Sequence, residues 1–104
     1  MNLFYIPCPD RETAHQIAKV LLECKLIGCA NIIPGMESIY SWQGQIETST
    51  EYILILKAPG LPDAQMQITD RVKELHPYKI PCIMTLPVLG INKEYEKWLE
   101  ESCQ

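Results

Sequence analysis

Two thiols and an imidazole carry the most distinctive chemistry in this sequence: Cys8 near the start, His76 ahead of a Pro-Tyr pair, and Cys82 shortly after it. Thiolate and imidazole donors select copper or zinc over magnesium or calcium, and a thiolate-rich set suits Cu(I). The competing reading is structural: Cys8 and Cys82 as small buried hydrophobes, and His76 closing a helix. Nucleophilic catalysis finds no support, because neither His15 nor His76 has a nucleophile and an orienting acid at a diagnostic spacing. The short Gly-rich anion loop with an arginine that acylphosphatase-type chemistry needs is absent around Pro7 to Arg11. Cys24, Cys29 and Cys103 complete an odd count of five cysteines without a C-x-x-C pair, so neither a disulfide framework, a zinc ribbon nor a copper-chaperone loop is indicated.

These residues sit in a chain of 104 residues, short enough for one domain over 1–104. A hydrophobic fraction of 47% with 21% charged residues is that of an ordinary folded protein. The net charge of -4 lacks the basic surplus a nucleic-acid partner demands. No apolar run approaches membrane-spanning length, and MNLFYIPCPD has no basic region of the kind that opens a signal peptide. Unpaired cysteines and the absence of an export signal predict a reducing, cytoplasmic setting.

The elements that must position the three donors can be read along the chain. Leu3 to Pro7 is an apolar run stopped by Pro7 and Pro9, predicting a central strand. Asp10 is placed to cap a helix carrying Ala14, Ile17, Ala18, Leu21 and Leu22 at helical spacing, with Gly28 as its stop. Cys29 to Trp42 is β-branched and aromatic, bent at Pro34-Gly35; Gln43-Gly44 turns it into a second strand over Ile46 to Lys57, a long hairpin. Pro62 and Asp63 open a helix with Ala64, Ile68, Val72 and Leu75 on one stripe, ending near His76-Pro77. Ile80 to Leu89, interrupted by Pro81 and Pro87, predicts an edge strand. Asn92 is placed to cap a last helix with Tyr95, Trp98 and Leu99 inward.

The order βαββαβ plus a trailing helix predicts an α+β, ferredoxin-like fold with two helices on one face of an antiparallel sheet and the first strand between the third and fourth. In that order the C-terminal end of the first strand lies beside the N-terminal end of the fourth, which brings Cys8, His76 and Cys82 to one end of the sheet.

Gly28-Cys29-Ala30-Asn31-Ile32-Ile33-Pro34-Gly35, Ser38-Ile39-Tyr40-Ser41-Trp42-Gln43-Gly44 and His76-Pro77-Tyr78 resemble successive signature blocks of the CutA family, and Pro87 with Tyr95-Glu96-Lys97-Trp98 resembles its closing pattern. One departure stands out: the family typically follows His-Pro-Tyr with Glu, any residue, Pro and Glu, where this chain has Lys79, Ile80, Pro81 and Cys82. The resemblance implies a homotrimer whose long hairpins pair with neighbouring subunits, a role in divalent-cation and especially copper tolerance, and no enzymatic activity. The expected metal ligands are His76, Cys8 and Cys82, with copper as the metal and no organic cofactor. The alternative is a PII-like trimeric sensor or scaffold that binds a small ligand in clefts between subunits; the loop around His76, Tyr78 and Lys79 would then take a small anion. Neither membrane nor nucleic acid is expected as a partner.

Overall fold

The structure, a computed structural model, describes residues 1–104. Strand β1 (Asn2–Cys8) alternates, sending Phe4, Ile6 and Cys8 into the core and Leu3, Tyr5 and Pro7 to the opposite face. Helix α1 (Arg11–Glu23) starts where Asp10 accepts a 2.7 Å hydrogen bond from the Thr13 amide, as its position in the sequence predicts. Its buried stripe is Ala14, Ile17, Ala18 and Leu21, while Leu22, expected on that stripe, is exposed.

The stop of α1 differs from expectation. Cys24 closes the helix and Lys25 takes the left-handed conformation at φ 59, so Gly28 is not the helix terminator. Gly28 is small for another reason: a Cβ there would lie 2.5 Å from Leu99 Cδ1. The glycine lets the last helix close on the sheet.

Strands β2 (Cys29–Trp42) and β3 (Gln45–Ala58) form the long antiparallel hairpin, joined by Gln43-Gly44 at φ 50 and 79. Positive φ at both positions matches the twist of the flanking strands. The ladder shifts between Ile33 and Met36, placing the bulge at Pro34-Gly35. Helix α2 (Pro62–Leu75) begins with proline, buries Ile68 and Val72, and ends at His76. Strand β4 (Met84–Pro87) is only four residues long; the expected stretch from Ile80 is cut back because Pro81 leaves residues 80–83 outside the ladder. Helix α3 (Lys93–Ser102) buries Leu99, but Trp98, expected to face inward, is exposed, and the Asn92 side chain makes no capping bond.

The sheet order is β2-β3-β1-β4, all antiparallel, with β1 between β3 and β4 as predicted. The core lies between α1 and α2 and one face of the sheet, where Phe4, Ile6, Leu54 and Leu56 meet Ile17, Leu21, Ile68 and Val72. The distal half of the hairpin has no such cover. It stretches the molecule to 45 × 26 × 23 Å and its radius of gyration to 14.3 Å, above the roughly 13 Å of a compact chain of this length.

Candidate functional site

The C-terminal end of β1 is where the chemistry gathers. The chain leaves α2 at His76 and crosses beneath this end: His76 Nε2 lies 2.8 Å from the Pro7 carbonyl, and His76 Nδ1 accepts from the Tyr78 amide at 3.2 Å. A carbonyl can only accept and an amide N–H can only donate, so the imidazole carries its proton on Nε2. Both ring nitrogens of this buried histidine are thereby engaged in holding the crossing. The Tyr78 ring sits 4.7 Å from the imidazole, and its hydroxyl donates to Glu51 Oε2 at 2.7 Å.

Cys8 is fully buried, its thiol directed to the Ile6 carbonyl at 3.6 Å. Burial first, and then the negative charges of Asp10 and Glu51, push that thiol up to about 12. A thiol held protonated is a poor metal donor. Cys82 is exposed, and partial burial of its thiol followed by the charge of Glu51 raises it too. The expected trio therefore shares one end of the sheet without forming a ligand set in the single chain: no three His, Cys, Asp or Glu side chains come together in a metal-holding group. His76 would have to surrender a structural hydrogen bond and Cys8 a well-held proton. Of the three, Cys82 alone is exposed, and its raised thiol too would have to give up its proton to bind a metal.

Beside Cys82 the structure has a cavity of about 710 Å³. Its floor follows from strand register. Met36 pairs with Glu51, Ser38 with Ser49, Tyr40 with Glu47 and Trp42 with Gln45, so these residues share the helix-free face with Tyr5 and Pro7. Its other wall is the crossing segment, with Tyr78, Lys79, Ile80 and Cys82. The Met36 thioether accepts from the Tyr5 hydroxyl at 3.2 Å.

Glu51 is the residue the sequence reading missed. It is 6% exposed, on the cavity wall, and its only side-chain hydrogen bond is the one from Tyr78 to Oε2. The signal was present in the strand period: Glu51 is in phase with Ile53 and Ile55, a charge among apolar residues on one face. Burial and then the bond to Glu51 raise the Tyr78 phenol above its ordinary range. With that phenol already committed to a carboxylate, the small anion expected around His76, Tyr78 and Lys79 finds only Lys79 free to meet it.

The same helix-free face is apolar beyond the cavity. Leu3 pairs with Leu86, Tyr5 with both Ile55 and Met84, and Ile33 with Ile53, and no helix covers them. Ile33, Met84 and Leu86 are each more than two-fifths exposed. No helix is long and apolar enough to cross a membrane.

Residues 2–102 match the family described as CutA1 divalent ion tolerance protein. The divalent-cation tolerance protein CutA of Thermus thermophilus is 43% identical over 97 residues, covering 93% of this chain and 92% of the relative. The chloroplastic protein CutA 1 of rice is 38% identical over 101 residues, 96% of this chain but 55% of its own length. The solved structure of the periplasmic divalent cation tolerance protein CutA from Archaeoglobus fulgidus superposes with a TM-score of 0.93 at 39% identity, covering 99% of this chain and 98% of that one.

Proposed function

The chain belongs to the CutA1 divalent ion tolerance family, and from that membership we propose that it acts as a non-enzymatic homotrimer of copper tolerance, with Cys82 as the metal donor it contributes to a cleft between subunits. The observation that carries this reading is the position of Cys82: an exposed thiol on the wall of the cavity that the Met36 thioether and the Glu51 carboxylate also line. Soft sulfur donors of this kind suit Cu(I). The single chain does not supply three ligands, so the remaining donors come from a neighbouring copy. His76 and Cys8 hold the crossing segment and the end of β1 that carry the cleft.

The trimer is supported by the uncovered apolar sheet face and by the projecting hairpin, whose β2 edge presents unpaired backbone groups that another chain can satisfy. Five free cysteines support a cytoplasmic, reducing location.

The test is titration of the reduced protein with Cu(I) and Cu(II), with the mass determined in the same sample. Cys24→Ser serves as the background for adventitious thiol binding. Stoichiometric binding to a trimer that survives Cys24→Ser and is lost in Cys82→Ser is the expected result. Binding indifferent to Cys82→Ser overturns it.

A second reading, a trimeric sensor or scaffold for a small ligand, is favoured by the size of the cavity. About 710 Å³ lined by Tyr5, Tyr40, Trp42 and Tyr78 is far more room, and far more aromatic surface, than an ion uses. Saturable binding of an organic ligand without metal dependence distinguishes it.

A further inference from the structure

The chemical class of that ligand can be read from the cavity wall, and the inference rests on the small-ligand reading just given. We propose that the cavity takes a small organic primary ammonium compound with an apolar body, its charged nitrogen seated on Glu51. Three observations on this chain converge on a cation.

Glu51 is the first. Its residue is 94% removed from solvent by its 6% exposure, yet only Oε2 has a protein donor, the Tyr78 hydroxyl at 2.7 Å. Oε1 is left without one. No buried side-chain oxygen lacks a partner, so Oε1 is open to the cavity, where a charged donor from an occupant would take the place of water.

Charge balance is the second. The charged side chains facing the cavity are Glu51 and Lys79, since Glu37 pairs with Thr50 on the opposite face of the arm. Lys79 is exposed and free to turn to solvent, whereas Glu51 is held in place.

The third is the aromatic wall. Tyr40 and Trp42 on β2 face the same side of the sheet as Tyr5, and Tyr78 stands opposite on the crossing segment. Ring faces attract a cation while accepting an apolar body, whereas they offer an anion nothing. The primary ammonium is preferred to a quaternary one because Oε1 can accept an N–H, which a quaternary nitrogen lacks.

The probes are phenethylammonium, its anionic counterpart phenylacetate, tetramethylammonium and inorganic phosphate, each titrated calorimetrically into the full metal-free chain, whose mass is recorded in parallel. Phenethylammonium should bind saturably with Kd below about 1 mM, and the other three at least about tenfold more weakly. Glu51→Gln, which preserves shape and still accepts from Tyr78, should weaken phenethylammonium at least about tenfold, and Trp42→Ala should weaken it with the fold unchanged by circular dichroism. Saturable binding of phenylacetate or phosphate in place of the amine overturns the cation assignment while leaving the small-ligand cleft standing. Binding of none of the four overturns both. Amine binding indifferent to Glu51→Gln and Trp42→Ala places it elsewhere and also overturns the proposal.

Discussion

Glu51 and Tyr78, 27 positions apart, are joined by a hydrogen bond of 2.7 Å in which the phenol donates to Oε2. That bond ties the middle of the long hairpin to the segment that crosses under β1, and so fixes the two walls of the cavity against each other. Tyr78→Phe removes the only protein donor to a buried carboxylate and should lower the free energy of unfolding by about 1–2 kcal/mol. Glu51→Gln keeps an acceptor for the phenol and should cost less. Denaturant unfolding of the two variants checks the order, and equal stability of Tyr78→Phe and wild type would mean the bond contributes nothing.

The buried thiol of Cys8 makes stability depend on pH in one direction. In the folded chain it is pushed from 9.0 up to about 12, so the folded state keeps a proton that the unfolded chain releases above pH 9. Its contribution is complete below pH 9 and is lost as pH climbs from 9 toward 12. Cys8→Ala removes this dependence, and the denaturant midpoint should fall less steeply over that interval than in wild type. Parallel slopes for the two proteins would reject the assignment.

Thiol reactivity should follow the same burial. With limiting iodoacetamide at neutral pH, mass mapping is expected to find Cys24 alkylated early and Cys8 last, since one is exposed and the other completely enclosed. Early labelling of Cys8 would show that the end of β1 opens readily.

Gly28 and Leu99 form a testable close contact. A methyl group at 28 meets Leu99 Cδ1 at 2.5 Å, and Leu99 is buried with little freedom to turn away. Gly28→Ala should destabilise the protein by about 1–3 kcal/mol through overpacking. In the double variant with Leu99→Ala the two losses should be less than additive. Strict additivity in urea unfolding would place the cost of Gly28→Ala elsewhere.

Ile55 lies at the centre of the helix-free face, paired with Tyr5. A charge there opposes burial by another copy. Light scattering should give wild type a mass three times 11.9 kDa and Ile55→Lys a smaller one. A wild-type mass of one chain counts against the trimer, and an unchanged trimer in Ile55→Lys counts against this face as its interface.

The fold was legible because its signals are local. Asp10 before an apolar stripe, Gln43-Gly44 between two β-rich runs, and prolines flanking the last strand each act within a few residues. The errors came where a distant partner decides. Gly28 is read as a helix stop from its neighbours, but its smallness answers to Leu99, far along the chain. His76 and Cys8 are chemically apt metal donors by type, and the backbone groups of Pro7, Tyr78 and Ile6 claim them first. Glu51 drew no notice because a single carboxylate in a strand is unremarkable until the fold brings Tyr78 to it.

The Pro34-Gly35 bulge sets two residues of β2 against one of β3. Side chains alternate with a period of two, so this single surplus residue inverts the parity of everything beyond it. Were the ladder to run through both Pro34 and Gly35 without the bulge, Met36, Tyr40 and Trp42 would turn away from Tyr5 and Glu37 and Ile39 would take their place, stripping the cavity of its β2 rings while leaving every helix and core residue nominally intact. The bulge, and not the turn alone, thus decides which set of β2 side chains the arm presents to Tyr5.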